Sequence, residues 1–429
     1  MDELRIGVVG VGQRAVLAEY ADRPGYSRVV SCADPSERGR ADARRLFGAD
    51  VAVYEDYRPM AEDDLDAVLV FTPDHLHTEP VLHFLRAGAA VFVEKPMAIS
   101  IEDCDTMLAT AMESGSRLYV GHNLRHLPML RKMRELIDAG TIGRVRSVWC
   151  RHFVGHGGDY YFKDWHAERA KTTGLLLQKG AHDLDVIHWL GGGYSREVVG
   201  LGALTVYGEN PHRRAATAPD DTRRMPDWFD PEAWPPSRLR GLNPTIDVED
   251  LSMMMARLDN GVYASYQQCH YTPDYWRNYT VIGDEGRIEN FGDGIEGDPP
   301  VLRVWNARRS GYRADADLTG EVARTAERHT TEQHTAEEPH GGADRHLVAE
   351  FLRFAAEGGD TETSPLAARE AVASGVAATV SLREGGRPVA VPELDTGLVA
   401  YFTDHQPTAA RRAGCAGRQA AGRPADSRR

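Results

Sequence analysis

Residues 4–15 read LRIGVVGVGQRA, a short apolar run followed by two closely spaced glycines. A run that is apolar on both faces is typical of a strand in a parallel sheet covered by helices. Directly after it, Gly10, Gly12 and Ala15 form the pattern G-x-G-x-x-A. At a strand-to-helix turn, Gly10 permits the sharp bend, Gly12 lets the backbone approach a pyrophosphate, and Ala15 permits close helix packing. The stretch therefore predicts a dinucleotide-binding domain at the start of the chain.

The same rhythm of apolar run, turn and helix-like stretch continues to about residue 120. The strand-like runs are RIGVVG at 5–10, VVSCAD at 29–34, DAVLVFTP at 66–73, AAVFVEKP at 89–96 and RLYVG at 117–121. Strands that alternate with helices predict a Rossmann-type, doubly wound parallel sheet. From about residue 145 the strand-like runs become longer and alternate in polarity, which predicts a C-terminal α+β domain with a large, mostly antiparallel open sheet.

The predicted boundaries are 1–123 for the nucleotide-binding domain and 124–400 for the substrate-binding and oligomerisation domain. Residues 401–429 are rich in arginine and predict a disordered tail. The Pro-, Arg- and Asp-rich stretch 208–245 contains Trp228, Phe229 and Trp234. Because long loops are usually functional or disordered, these aromatics favour an ordered lid or an oligomer contact.

Composition excludes several classes of protein. With 42% hydrophobic and 27% charged residues, and no apolar run long enough to span a bilayer, a globular protein without a membrane segment is expected. A net charge of −14 disfavours nucleic-acid partners. A strand almost at the first residue leaves no room for a signal peptide, which predicts a cytoplasmic location. His329, His334 and His340 lack a carboxylate or cysteine frame, so no metal site is expected.

Asp34 ends the second predicted strand, 24 residues after Gly10. An acidic side chain at this point can accept hydrogen bonds from the adenosine ribose and would repel a 2′-phosphate. NAD is therefore favoured as the cofactor. Arg38 and Arg40 keep NADP possible, because either could pair with a phosphate.

Two further motifs follow neighbouring strands, where ligands bind in open α/β sheets. Residues 72–77 read TPDHLH and residues 94–96 read EKP. Together with the glycine turn and with GHNLR at 121–125, they resemble the Gfo/Idh/MocA family of oxidoreductases (glucose-fructose oxidoreductase, inositol dehydrogenase and relatives). The resemblance covers roughly residues 4 to 390.

The resemblance implies two catalytic residues. Lys95 of the EKP motif would reach the nicotinamide ribose and the substrate hydroxyl, where an ammonium can stabilise a developing alkoxide. His182 would be the general base, since an imidazole titrates near neutral pH. The residues assigned to the cofactor are Gly10, Gly12, Gln13, Arg14, Asp34, Thr72, Pro73, His77, Glu94, Lys95 and Asn123.

The segment LLLQKGAHDLD at 175–185 departs from the family pattern, which carries D-x-x-x-H with an aspartate four residues before the histidine. Gln178 stands in that place. On one continuous helix Gln178, His182 and Asp185 would share a face. Either Asp183 or Asp185 could orient His182 instead, and Lys179 either contacts a substrate oxygen or points to solvent.

The second-domain and junction residues complete the predicted site. Those assigned to substrate binding are Gln178, Lys179, Asp185, Arg125 and His166. His166 belongs to the cluster WHAER at 165–169, which is either a sugar-pocket wall or the polar start of a helix.

The resemblance implies an NAD-dependent enzyme that moves hydride between nicotinamide and a secondary carbinol of a sugar, glycoside or cyclitol. Two alternatives stay open. One is an enzyme that uses NAD transiently during sugar epimerisation or glycoside cleavage, and the other is a non-catalytic sugar- or dinucleotide-sensing protein. A homodimer or homotetramer is expected, because an alternating open sheet leaves one face for a partner.

Overall fold

The computed structural model describes residues 3–216, 230, 232–295, 298–311, 314–321 and 342–406. Two sheets organise this part of the chain, as the sequence predicts. Trp228, Phe229 and the three histidines at 329, 334 and 340 lie outside the described residues. Among the residues that are described, no helix has the length and apolarity needed to cross a bilayer.

The first sheet has six parallel strands in the order β3-β2-β1-β4-β5-β6. Their bounds are β1 Leu4–Val9, β2 Ser27–Ala33, β3 Ala52–Tyr54, β4 Ala67–Val70, β5 Ala90–Val93 and β6 Leu118–Val120. All but β3 coincide with predicted runs. Sequence reasoning missed β3 because it is three residues long and only partly buried, so it has no apolar run of its own.

The second sheet has nine strands in the order β14-β13-β12-β11-β7-β10-β9-β8-β15. The strands are β7 Val145–Phe153, β8 Ser195–Ala203, β9 Leu251–Leu258, β10 Tyr263–Cys269, β11 Trp276–Gly283, β12 Arg287–Phe291, β13 Val301–Trp305, β14 Leu318–Glu321 and β15 Val389–Ala390. Strands β7 and β10 pair in parallel, and the other neighbours pair antiparallel. The predicted mostly antiparallel open sheet is thus confirmed.

The helices lie on the faces of both sheets. They are α1 Glu37–Phe47, α2 Thr78–Ala87, α3 Ile101–Ser114, α4 Pro128–Asp138, α5 Gly157–Tyr161, α6 Arg169–Thr172, α7 Leu175–Gln178, α8 Gly180–Gly191, α9 Ala343–Glu357, α10 Pro365–Arg383 and α11 Thr396–Thr403. Short 3₁₀ segments occupy Gln13–Tyr20, Arg58–Glu62, Asp74–Leu76, Asn123–His126, Trp165–Ala167 and Pro236–Arg238.

Within the described part of the chain, helices cover one face of the second sheet and leave the other face uncovered. Val148, Tyr266 and Tyr279 point to the covered face and are buried with residues of α8 and α10. Their neighbours along the strands point away, and Trp149 and Met255 are 50% and 62% exposed. The strands therefore show the alternation that a one-sided sheet requires.

The C-terminal helices return to the first domain. Phe351 of α9 packs edge-on against Phe92 of β5, and Phe402 of α11 belongs to the core that includes β4 and β5. Past α11, the Gln406 side chain exchanges two hydrogen bonds of 2.8 Å with the backbone of Leu118. Residues 401–406 are thus ordered, which differs from the predicted tail, while 407–429 lie outside the described residues.

The described residues at both ends of the 208–245 stretch pack against other residues of the second domain. Leu239 and Leu242 are buried in one cluster with Phe162 and Tyr207, and the Phe162 and Tyr207 rings stack at 4.2 Å. Trp234 is 41% exposed. This part of the loop is therefore ordered beside the segment that follows α5.

Candidate active site

The glycine turn after β1 fits a bound pyrophosphate. Gly10 has φ +88°, and a Cβ there would lie 2.9 Å from the Phe71 carbonyl carbon and the Thr72 nitrogen. Only glycine satisfies both constraints. At Gly12, in contrast, a Cβ would meet no atom within 4 Å. The backbone at Gly12 thus borders open space, where a phosphate can approach its amides.

Asp34 lies at the end of β2, beside this turn. Its Oδ2 accepts a hydrogen bond of 2.8 Å from the Val11 amide, and its Oδ1 accepts bonds from the Ser36 amide and hydroxyl at 2.8 and 2.6 Å. A Cβ on Gly39 would lie 2.2 Å from the Asp34 carboxyl carbon, so α1 approaches closely. Arg40 bonds the backbone oxygen of Asp34 at 3.0 Å. Asp34 therefore links the glycine turn to α1, and its Oδ2 atom retains one lone pair for a ribose hydroxyl.

Asp344, which sequence reasoning missed, links the side chains of Arg14, Glu94 and Asn123. Arg14 pairs with Glu94 at 2.7 Å and with Asp344 of α9 at 2.9 Å, and the Asn123 amide donates to Asp344 at 2.7 Å. Asp344 is 2% exposed and more than 200 residues distant in sequence. These side chains fasten α9 to the cofactor end of the first sheet. Their predicted contact with the cofactor itself stays a prediction.

His77 connects the two motif loops. Its Nδ1 lies 2.9 Å from the Pro96 carbonyl oxygen and its Nε2 lies 2.9 Å from that of Thr72. Both ring nitrogens are occupied by backbone partners, and the ring is fully buried. His77 therefore holds the Thr72-Pro73 loop against the EKP turn. Its predicted contact with the cofactor stays a prediction.

Lys95 and His182 come from different domains, and Lys95, at the carboxyl end of β5, lies near enough to His182 for its charge to affect the pKa of the imidazole. The Lys95 ammonium lies 3.5 Å from the carbonyl oxygen of Gln178, which is the last residue of α7. His182 is 8% exposed, and its Nδ1 has no hydrogen-bond partner among the described residues. Burial, followed by the Lys95 and Lys179 charges, holds the pKa of His182 well below its ordinary value. The imidazole is thus neutral near pH 7 and able to accept a proton.

The helix that carries His182 is not continuous. Helix α7 ends at Gln178 and α8 begins at Gly180, so a one-residue break at Lys179 interrupts the predicted helix. The backbone at Lys179 keeps right-handed helical angles, φ −87° and ψ −38°. The side chains of Gln178, His182 and Asp185 therefore still lie on the buried side, and all are less than 9% exposed.

Asp185 does not orient His182. The Arg125 guanidinium donates hydrogen bonds to both carboxylate oxygens of Asp185, at 2.8 and 2.7 Å, and the His122 Nδ1 atom lies 3.7 Å from the Asp185 Oδ2 atom. Arg125 also donates to the Glu362 carbonyl oxygen at 2.8 Å. This buried pair joins α8 to the segment at the domain junction, and the predicted contact of Arg125 and Asp185 with substrate stays a prediction.

Asp183 is likewise directed away from His182. It accepts hydrogen bonds from His152 at 2.8 Å and from the Tyr266 hydroxyl at 2.9 Å, and it pairs with Arg277 at 3.1 Å. The Tyr279 hydroxyl is a fourth partner. The Arg277 and His152 partners keep the pKa of Asp183 below its ordinary value despite complete burial. Asp183 thus anchors α8 to β7, β10 and β11.

Lys179 faces a cluster of aromatic rings. Its ammonium lies 5.8 Å from the centre of the Tyr161 ring, and its charge helps to lower the pKa of His166 and of His270. His166 stacks on Trp165 at 3.8 Å. Of the two readings of Lys179, the structure supports the one that turns it toward the site. His166 belongs to this aromatic cluster and is 4% exposed.

Several residues of the site were missed by sequence reasoning. Asp74 lies in the quoted TPDHLH motif but was given no role, and it is 6% exposed beside Lys95 and Gln178. Tyr160, Tyr161 and His270 had no motif to mark them. His270 is fully buried, and neither ring nitrogen has a partner among the described residues. Its position depends on β10 pairing, which single-sequence reasoning does not supply.

A glycine-turn Rossmann domain joined to an open-sheet domain, with a lysine and a neutral histidine at the junction, is the architecture of a two-domain NAD-binding oxidoreductase. Two family models match the chain. Residues 4–122 match the model described as "Oxidoreductase family, NAD-binding Rossmann fold", and 130–289 match the "GFO/IDH/MocA C-terminal domain". The chain belongs to the Gfo/Idh/MocA family, as the sequence motifs predict, and its first domain is the NAD-binding domain of that family.

Relatives and solved structures extend this comparison. The chain is 34% identical over 206 residues to 2,7-anhydro-N-acetylneuraminate hydratase of Mediterraneibacter gnavus, covering 47% of this chain and 53% of the relative. It is 30% identical over 191 residues to inositol 2-dehydrogenase/D-chiro-inositol 3-dehydrogenase of Halalkalibacterium halodurans, covering 44% and 52%. The matches thus span about half the length of these relatives. Levoglucosan dehydrogenase, solved with NADH and levoglucosan, has the same fold, with a TM-score of 0.70 at 20% identity over 91% of this chain and 100% of that one.

Proposed function

We propose that the protein is an NAD-dependent oxidoreductase that transfers hydride between the nicotinamide ring and a secondary carbinol of a sugar, glycoside or cyclitol. The observation that carries the proposal is that the Lys95 ammonium, at the carboxyl end of β5, lies 3.5 Å from the Gln178 carbonyl oxygen and lowers the pKa of the buried His182 imidazole. A cationic stabiliser and a neutral proton acceptor are the two groups that oxidation of an alcohol requires. The family membership supports the same reaction class.

Each group has a distinct task. Bound NAD supplies a ring carbon that accepts hydride from the carbinol carbon. His182 takes the hydroxyl proton, because its imidazole is neutral at working pH. Lys95 stabilises the negative charge that develops on the oxygen as the carbonyl forms. In the reverse direction His182 returns the proton and the carbonyl is reduced.

The aromatic cluster around Lys179 supports a sugar-like substrate. Tyr160, Trp165 and His166 form a contiguous set of rings, with the Tyr160 and His166 centres 4.8 Å apart. Flat rings cover the C–H faces of a pyranose or cyclitol, while polar groups at the edge bind its hydroxyls. We expect Lys179, Gln178 and His270 to bind such hydroxyls. The inositol dehydrogenase relative is consistent with this class.

A panel of sugars, glycosides and cyclitols, each tested with NAD and NADP, examines the proposal directly. Absorbance of reduced cofactor and chromatography of products are recorded together. Formation of reduced NAD with a ketone product is the expected result. Binding of substrate and NAD without any product would favour a sensing protein and contradict the enzyme.

A second candidate function is transient use of NAD without net oxidation. One relative that is 34% identical carries the name hydratase, which describes addition of water rather than oxidation. In such a cycle NAD oxidises the substrate to a ketone, and the carbon next to the new carbonyl loses a proton. The resulting enolate either regains a proton on the opposite face or expels a leaving group, after which water adds to the double bond. The same hydride then returns to the carbonyl carbon. Product formation with no net change in NADH absorbance would favour this candidate over the dehydrogenase.

The uncovered face of the second sheet supports a homodimer or homotetramer. Two rows of side chains cross four neighbouring strands there, and each row contains large apolar members. The exposed ones are Trp149 and Met255 in one row and Leu201 and Met253 in the other. Because large exposed apolar patches mark interaction sites, we propose that two copies of the chain pair through this face.

A further inference from the structure

Asp344, near the start of α9, lies at the centre of a buried network at the cofactor end of the first sheet. Its Oδ2 accepts a hydrogen bond of 2.9 Å from Arg14 Nη1. Its Oδ1 accepts bonds of 3.3 Å from Arg14 Nη2 and 2.7 Å from the Asn123 side-chain amide. Both residues that Asp344 holds are ones that the sequence assigns to the cofactor.

Arg14 extends this network to the EKP turn. Its Nε donates a hydrogen bond of 2.7 Å to Glu94 Oε1. The other oxygen, Glu94 Oε2, accepts a hydrogen bond of 2.8 Å from the Lys95 backbone amide. Because each Glu94 oxygen has its own partner, the carboxylate is fixed in one orientation. A continuous chain of charge-assisted hydrogen bonds therefore runs from α9 through Arg14 and Glu94 to the backbone of Lys95.

Asp344 also decides which way the Asn123 amide faces. A carboxylate only accepts hydrogen bonds, so the NH₂ group of Asn123 must point to it and the oxygen must point away. Asn123 is 1% exposed, and its Oδ1 has no hydrogen-bond partner among the described residues. A buried amide oxygen of this kind fits a donor on a bound cofactor, such as a ribose hydroxyl.

Docking of α9 does not depend on Asp344 alone. Glu350, further along the helix, accepts hydrogen bonds of 2.7 Å from the Tyr119 hydroxyl and 3.0 Å from the Glu362 amide. Phe351 is fully buried in the core of the first domain. Because these contacts hold the helix to the sheet, the bonds of Asp344 serve the residues around the glycine turn.

We propose that Asp344 is a positioning residue for Lys95. It acts through the Arg14 guanidinium and the Glu94 carboxylate, and it orients the Asn123 amide at the same time. The inference rests on the proposed function for its catalytic meaning, whereas the link to the Lys95 backbone does not depend on any substrate. Helix α9 is thereby a part of the active site.

The test measures hydrogen exchange of the Lys95 backbone amide in the full chain, without substrate or cofactor. This amide donates to Glu94, so its exchange reports how firmly the carboxylate is held. Asp344→Asn should speed exchange at Lys95 about tenfold, because the charge that holds Arg14 is lost. The Glu94 amide is an internal reference. It donates to the Val70 carbonyl oxygen at 3.1 Å and should exchange at the wild-type rate.

The matched control is Glu350→Gln, which removes the other carboxylate that docks α9 and should leave exchange at Lys95 unchanged. Arg14→Gln breaks the proposed chain in the middle and should speed exchange as Asp344→Asn does. The double variant should be no faster than Arg14→Gln alone, since both changes interrupt one path. Circular dichroism and thermal melting establish that each variant is folded, and Arg14→Gln keeps the test open if Asp344→Asn does not fold.

Three results would overturn the proposal. They are a wild-type rate at Lys95 in Asp344→Asn, an equal acceleration in Glu350→Gln, and an equal acceleration at the Glu94 amide. Additive effects of the two changes in the double variant would also contradict a single path.

With an active substrate, the same variants separate positioning from stability. Asp344→Asn should lower kcat about tenfold and change the substrate KM by less than about twofold, because Lys95 acts on charge that develops in the transition state. Glu350→Gln should keep the wild-type kcat. A wild-type kcat in Asp344→Asn would refute the positioning role. If exchange behaves as expected but no sugar is oxidised, the proposed function fails while the link stands.

Discussion

The cofactor side and the substrate side of the site are held by contacts of different range. Asp34 is tied to residues 2 and 23 positions away in the chain. Asp183, the anchor of α8, is bonded to residues 31, 83 and 96 positions away. The first arrangement forms wherever its short motif forms, whereas the second exists only when three strands have already paired. Substitutions at Asp34 and at Asp183 should therefore impair the protein in different ways.

The largest effect is expected at the long-range anchor. Asp183→Asn removes a fully buried charge from between His152 and Arg277, and it leaves the buried Arg277 with only its longer ion pair to Asp293 at 3.5 Å. The free energy of unfolding should fall by roughly 3–5 kcal/mol. Urea titration measures it. Asp259→Asn is the control, because that carboxylate is half exposed in its pair with Arg196 at 3.2 Å, and its loss should cost less than about 1 kcal/mol. Equal losses in the two variants would contradict the anchoring role.

The next effect is chemical. Lys95→Ala and His182→Ala should each lower kcat by roughly 10²-fold or more, the usual scale for a positioned acid or base, while NAD binding is retained. Steady-state rates and NAD titration by fluorescence separate the two quantities. Lys132→Ala, at an exposed position on α4, serves as the control. Full activity of His182→Ala would defeat the assignment of the base.

A pH profile distinguishes His182 from Asp74. The pKa of His182 lies well below 6.5, so its proton-accepting form is already present at pH 6 and its titration falls on the acid side. Asp74, with a pKa raised to about 7, is ionised only above that value. The wild-type rate of oxidation should therefore rise between about pH 6 and 8, roughly tenfold per unit below the midpoint. Persistence of this rise in Asp74→Asn would assign it to another group.

A smaller effect is expected at the short-range turn. Asp34→Ala should weaken NAD binding about tenfold, since hydrogen bonds to a charged group are lost, and should ease entry of a 2′-phosphate. Dissociation constants for NAD and NADP measure both changes. Glu37→Ala, exposed at the start of α1, is the control. Better use of NADP than NAD by the wild type would refute this interpretation of Asp34.

The smallest effect on chemistry is expected at the uncovered sheet face. Met255→Glu places a charge in the proposed contact between copies and should lower the mass measured by light scattering to that of a monomer. The control, Met112→Glu, alters an exposed position on α3 and should leave assembly intact. A wild-type protein that is monomeric at micromolar concentration would contradict the proposed pairing.

The site was predictable to the extent that its residues belong to short motifs. Gly10, Asp34 and Lys95 stand at strand ends, where sequence order alone places them together. Asp344 could not be found in this way, because it reaches Arg14 from a helix more than 300 residues further along. The pairing of Arg125 with Asp185 could not be found either, because the GHNLR motif at 121–125 does not reveal a partner 60 residues further along.

By itself, the sequence determined the two-domain architecture, the glycine turn for NAD and the two residues proposed for catalysis. Strand polarity and turn geometry are local properties, and they survive in any context that lets the strand form. Only the tertiary structure decided which carboxylates face the reacting groups. Asp74, Asp183 and Asp185 are equivalent in sequence terms, yet one is buried beside Lys95 and two are bonded to arginines. The physical reason is that a buried charge takes the partner that packing brings to it, and packing joins residues that the sequence keeps far apart.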